Sequence, residues 1–146
     1  MVEMSVAGIA LDAASRTPIV LLRDPSGRRQ VPIWIDQSQA HNIMAGLQGA
    51  ESPRPLSHDL MAALLVAGGL ELERVIVHAI EDSTFHAVLK LRQTDPLDAA
   101  AEGDVILHDV DARPSDAIAL AVRTGSSIWM LEEVVAEASI AVDAEA

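Results

Sequence analysis

Glu73-Arg74-Val75-Ile76-Val77-His78-Ala79-Ile80 and, after Glu81-Asp82-Ser83, Thr84-Phe85-His86-Ala87-Val88-Leu89-Lys90-Leu91-Arg92 form the stretch that decides the fold class. Both runs alternate with the two-residue period of a strand, and the short polar connection between them makes them an antiparallel pair. In the second run Phe85, Ala87, Leu89 and Leu91 face the core. His86 shares the opposite face with Lys90 and Arg92, where a solvated role is the default and a cationic wall to a groove is the alternative. His78 shares its face with Ile76 and Ile80, which predicts a hydrogen-bonded core or interface histidine.

Working outward toward the N-terminus, Glu3 to Leu11 and Pro18 to Leu22 favour strands, and Asp24-Pro25-Ser26-Gly27 is a turn. Gln30 to Ile35 reads as a third strand, which Pro32 confines to an edge or a strand start. Asp36 caps a helix running to about Gln48, with Ala40, Ile43, Met44 and Leu47 on one face and Gly49 closing it. Glu51-Ser52-Pro53-Arg54-Pro55 is a stiff connector, because each Pro holds its predecessor extended, and a helix restarts at Ser57 and stops at Gly68-Gly69.

Toward the C-terminus, Gln93 to Gly103 is a polar loop and Asp104 to Val110 a strand. Asp111-Ala112-Arg113-Pro114 leads into a helix ending near Gly125, then come the short strand Ile128-Trp129-Met130 and a helix from about Leu131. Early hairpins with helices that do not strictly alternate predict an α+β domain. It is expected to have a mixed, largely antiparallel sheet of about six or seven strands packed with three or four helices. Residues 1–138 form this one domain and 139–146 a frayed acidic tail. Trp34 and Trp129 lie in apolar strand triplets and read as core or dimer-interface anchors rather than base-stacking platforms.

Composition narrows the function classes. The 146 residues carry 22 acidic against 10 basic side chains, a formal charge of -12 that repels nucleic acid and anionic lipid at long range. The absence of Cys excludes disulfides, thiolate metal sites and cysteine nucleophiles. The start Met-Val-Glu lacks the basic and apolar regions of a signal peptide, and the apolar run from Met61 to Leu70 falls far short of a bilayer span. Cytoplasmic location without membrane association is the resulting expectation. Glycine-rich phosphate loops, HExxH, Gly-x-Ser-x-Gly and zinc-finger spacings are all missing.

The densest polar chemistry lies at two Arg-Pro helix entrances, Arg54-Pro55-Leu56-Ser57-His58-Asp59 and Arg113-Pro114-Ser115-Asp116. Structurally, Ser caps orphan amides, Asp complements the positive helix end and Arg pairs with Asp. Chemically, Arg suits bidentate phosphate contact, His shuttles a proton near neutral pH, and a carboxylate orients water or holds a divalent cation. His108, Asp109 and Asp111 crowd the approach to the second entrance, where they could join Asp116 around a cation. His41 is expected to be exposed, and Arg28-Arg29 is a hairpin-tip basic pair.

Asp111 to Arg123 resembles the signature of the bifunctional nuclease family, and three further blocks match that family in the same order: Pro32 to Ile35, Pro53 to Leu60 and Thr84 to Ala87. The resemblance implies a small domain of mixed strands and helices that cleaves DNA and RNA and pairs as a homodimer. It makes His58, Asp59 and Asp116 the candidate catalytic residues and Arg54, Arg113 and Ser115 the candidate substrate-binding residues. The cofactor stays open, with Asp59 and Asp116 as the ligands if a divalent cation takes part. Two positions depart from the pattern: Gln39 stands where the family commonly has Glu, and His86 where it commonly has Tyr. The alternative to a nuclease is a non-catalytic regulatory module that uses the same Arg-bearing entrances to bind an anionic ligand or a protein.

Overall fold

The computed structural model describes residues 1–49, 52–93 and 106–142. Among them are eight strands, β1 (Val2–Leu11), β2 (Pro18–Arg23), β3 (Arg29–Trp34), β4 (Leu70–Glu81), β5 (Thr84–Gln93), β6 (Leu107–Ala112), β7 (Ser127–Met130) and β8 (Ile140–Ala141). Four helices accompany them: α1 (Gln37–Gln48), α2 (Ser57–Ala67), α3 (Pro114–Thr124) and α4 (Glu132–Ala138). One sheet joins all strands in the order β6-β5-β4-β7-β1-β2-β3-β8. Its described pairings are antiparallel except β4 with β7, so it is mixed as expected, with slightly more strands than predicted. Most of the loop predicted from Gln93 to Gly103 lies outside the described residues. Of the predicted tail, Ile140 and Ala141 pair with Gln30 and Arg29 as β8, and 143–146 lie outside the described residues.

α3 lies at the centre. Ala117, Ile118, Ala119, Leu120 and Ala121 are all buried, so the helix is apolar nearly all round, as a helix enclosed by other elements must be. Val75, Val77, Ala87, Leu91, Ile128 and Met130 from the sheet join it in one core. Burying a side chain such as Ile118 stabilises the fold by about 1.5–3 kcal/mol. α1 approaches α3 closely at Gly46, where an added Cβ would stand 2.6 Å from Val122 Cγ2. The close crossing explains a glycine inside a helix, which otherwise costs about 1 kcal/mol relative to Ala. The departure at position 39 is accommodated locally: Asp36 Oδ1 accepts from the Gln39 amide and Gln39 Oε1 accepts from the Asp36 amide, each at 2.8 Å. An amide closes this capping box as a carboxylate would.

Three residues expected in the core or at an interface lie outside the core. His78 is exposed rather than buried, because the core packs on the face of β4 that carries Val75 and Val77. Its ring instead lies 6.4 Å from that of His86. Trp34 is no core anchor: with Ile33 and Ile35 buried, the strand period turns it outward, and it is 54% exposed. Trp129 also lies outside the core cluster, covered by Arg74 with the guanidinium 5.5 Å from the ring centroid.

The β4–β5 hairpin turns on two residues, since Glu81 pairs directly with Thr84. Asp82 and Ser83 both have positive φ, 50° and 65°, the geometry of a type I′ turn that favours Asn-Gly. Ser83→Gly is therefore expected to stabilise the protein by about 1 kcal/mol, which raises the Tm by roughly 3 °C in a thermal melt.

Candidate functional site

The N-termini of α2 and α3 bring one residue of each entrance together. His58 Nε2 lies 3.0 Å from Asp116 Oδ1, while Arg113 Nε donates to Asp116 Oδ2 at 2.9 Å. Partial burial alone would raise the Asp116 pKa, but the hydrogen bonds and charges of Arg113 and His58 outweigh it and hold the carboxyl below its ordinary range. An ionised Asp116 makes His58 Nε2 the donor of their bond. His58 itself is 4% exposed, and its Nδ1 is buried with no hydrogen-bond partner among the described residues. Such an orphan costs free energy, and Arg23 Nε and Asn42 Oδ1 are left in the same state among the described residues.

Asp59 is engaged elsewhere. Its Oδ1 accepts from Arg123 Nε at 2.7 Å and its Oδ2 from the Leu56 amide at 2.8 Å, and these two bonds, Arg123 foremost, lower its pKa. The amide bond caps α2 without a side chain from the N-cap Leu56. Asp59 and Asp116 thus each give both oxygens to protein donors and share no partner, and among the described residues there is no group of three His, Asp or Glu able to hold a metal ion. These side chains do not fit a shared cation site. Arg54 is exposed and makes no hydrogen bond or ion pair among the described residues. Asp109 pairs with Lys90 at 2.8 Å, apart from Asp116.

Arg113 and Ser115 do come together. They line a groove of about 290 Å³ with Trp34, Gln39, Thr84 and Phe85. It adjoins a hollow of about 520 Å³ that shares Trp34, Gln39 and Arg113 and adds Arg16 and Asp36. Arg113 is 66% exposed at its side chain and uses only Nε internally, which leaves its terminal nitrogens facing outward. Ser115 is 4% exposed, and the capping role expected of it is not what it performs: the N-cap is Arg113, and the Ser115 hydroxyl has no partner among the described residues. Pro114 at the first helical position brings no N–H, so the next amides of α3 and this hydroxyl form the positive helix end. A further cleft of about 610 Å³, between α2, β4 and the C-terminal end of α3, holds none of the predicted site residues. Sequence reasoning missed Trp34, Gln39 and Phe85 as groove walls, although the flanking Ile33 and Ile35 already pointed Trp34 outward.

The basic pair at the β2–β3 turn resolves into structure. Arg29 binds buried Asp24 through Nε at 3.0 Å and Glu132 at the start of α4 through Nη1 at 2.8 Å. Burial opposes ionisation of Asp24, yet Arg29 and the Ser26 hydroxyl hold its pKa at about 2. Because this lies below the unfolded value, the stabilisation is complete above about pH 4 and is lost as pH falls through about 2. Asp24→Asn is expected to melt below wild type near neutrality, and the gap between the two melts should close between about pH 4 and pH 2.

By fold and site this is an α+β domain whose central helix begins in a polar cluster beside an open groove. The chain matches the bifunctional nuclease domain over residues 20–143 and belongs to that family. It is also 37% identical over 145 residues to "Uncharacterized protein Rv1829" of Mycobacterium tuberculosis strain H37Rv and to "Uncharacterized protein MT1877" of strain CDC 1551 / Oshkosh. Each match covers 99% of this chain and 80% of the relative. No helix among the described residues is long and apolar enough to cross a membrane.

Proposed function

We infer that the protein hydrolyses phosphodiester bonds of DNA and RNA at the entrance to α3. The observation that carries this reading is the Asp116 carboxylate, held between buried His58 and Arg113 beside a groove that also receives Ser115. The free nitrogens of Arg113, the Ser115 hydroxyl and the amides of the helix end receive the phosphate. Asp116 orients a water molecule and takes its proton as the water oxygen attacks phosphorus and the bond to the leaving ester oxygen breaks. The proton that Asp116 takes up passes to the departing ester oxygen, and His58 positions Asp116 through its Nε2–H bond. Arg54, exposed on the connector before α2, meets a more distant part of the strand, and Asp59 supports α2 through Arg123. Cytoplasmic residence, where DNA and RNA are at hand, is part of this reading. Pairing of two copies belongs to the same reading, supported by the exposed Leu60, Leu64 and Val66 of α2 and the exposed edge strand β6.

One observation favours the second reading, a module that binds a phosphate-bearing ligand without cleaving it: all four oxygens of Asp59 and Asp116 already accept hydrogen bonds from the protein. Cleavage of labelled single-stranded DNA and RNA by rigorously purified protein, with and without a divalent metal, separates the two. Cleavage that disappears in Asp116→Asn upholds the nuclease. If the wild-type protein binds both strands but cleaves them no faster than Asp116→Asn does, the module reading stands.

A further inference from the structure

We propose that Trp34 is a base-stacking platform and that the groove between Trp34 and Arg113 takes one unpaired base together with its adjacent phosphate, which makes single-stranded nucleic acid the preferred ligand. The proposal rests on the reading of the α3 entrance as a phosphate site.

Three features of the groove carry it. The first is the exposure of Trp34: a large aromatic ring more than half open to solvent, beyond the short partner strand β8, gains nothing for the core. Its Nε1 donates to Asp12 Oδ2 at 3.0 Å, which fixes the ring while leaving its faces available. The second is the β4–β5 turn, where the tight Asp82–Ser83 geometry brings Thr84 and half-buried Phe85 into the same groove. A flat π system entering the groove finds two aromatic side chains, Trp34 and Phe85, in its lining, an environment every base satisfies because every base has a π face. The third is polar and belongs to the same lining. Ser115, almost wholly buried, presents a hydroxyl without a partner among the described residues, and Arg113 presents nitrogens that Asp116 does not use. Base and phosphate thus find complementary groups in one continuous space.

The charge balance explains why the platform matters. With a net charge of -12, and with Asp36 lining the adjoining hollow, the protein has no long-range attraction for a polyanion. Short-range stacking then has to supply much of the affinity, and it does so only for bases that are not already stacked in a duplex. Binding should therefore depend less steeply on salt than it does in proteins that meet many phosphates with Lys and Arg.

The experiment uses the full chain carrying Trp129→Phe, so that Trp34 is the sole indole, titrated with a short phosphorothioate oligodeoxyadenylate, its duplex with the complementary strand, and an abasic strand of equal length. The expected result is quenching of Trp34 emission by the single strand alone. The affinity for it, read in every variant from the anisotropy of a fluorescein-labelled strand, should fall by about tenfold or more in Trp34→Ala but little in Trp34→Phe. Arg113→Ala should weaken the oligoadenylate and the abasic strand alike. If Trp34→Ala binds the oligoadenylate as the parent does while Arg113→Ala loses both strands, the platform is overturned and the phosphate site stands. If neither strand binds the parent protein, both fall. Conversion of a dimer to a monomer by Trp34→Ala in sedimentation, with strand binding unchanged, also overturns the proposal and makes Trp34 an interface anchor. Melts of Trp34→Ala and Trp34→Phe confirm that both variants fold.

Discussion

Asp116→Asn is expected to lower kcat/KM for cleavage of single-stranded DNA and RNA by about 10²–10⁴, the range for loss of a positioned acid–base group, with little change in Tm. The small structural effect follows from the bonding. An Asn oxygen still accepts from Arg113 Nε, and its NH₂ donates to His58 Nε2 once the imidazole carries its proton on Nδ1 instead. The geometry survives while the negative charge and the proton acceptor are lost. His58→Gln should also reduce cleavage, but by less, since the carboxylate remains and only its support changes. Asp59→Asn is the informative contrast. Its oxygens serve Arg123 and the Leu56 amide, so the variant should lose stability before it loses kcat. Equal losses of kcat at Asp59 and Asp116 in folded proteins would sink the division of labour between the two entrances.

That division was only partly legible in the sequence. Strands and helices were readable because period-two runs such as Thr84 to Arg92 and punctuation such as Gly49, Pro114 and Gly125 act locally, and the structure follows them. The orientation of α2 was not. Its apolar residues suggest a core-facing helix, yet Leu60, Met61 and Leu64 are exposed while His58 is buried. From Leu60 onward the helix is apolar all round, so periodicity could not choose a face, and its orientation follows from bonds of α3 to His58 and Asp59 together with Ala62 and Leu65 against the core, none of which has a local signature. Within the site, the sequence named the right residue types at both entrances and suggested an Arg–Asp pair, which Arg113 and Asp116 do form. It had no means of showing that His58 crosses to the other entrance's Asp, or that Asp59 is claimed by Arg123, a residue 64 positions away.

Arg123 underlies the second large effect. Arg123→Met is expected to lower stability by about 2–4 kcal/mol, which corresponds to a fall in Tm on the order of 10 °C. The side chain is 7% exposed, and it donates from Nε to Asp59 Oδ1 at 2.7 Å and from Nη1 to the Asn42 and Ala119 carbonyls at 2.8 and 2.9 Å. It therefore links α1, α2 and α3 with charge-assisted bonds in a space that water reaches poorly. Methionine would fill much of the volume but leave the Asn42 carbonyl without this donor and Asp59 without its counter-charge. Arg123→Lys should recover only part of the loss, because a single ammonium cannot reproduce bonds made from Nε and Nη1 of one planar fork. The partial exposure of Asp59 keeps the cost below that of a fully buried orphan charge. The position of the loss has a functional consequence: loosening α2 from α3 releases His58 from Asp116. Weakened cleavage in Arg123→Lys that is restored by a stabilising substitution away from the groove would trace the defect to docking of α2. A cleavage defect that persists at full stability would instead assign Arg123 a direct part in substrate binding.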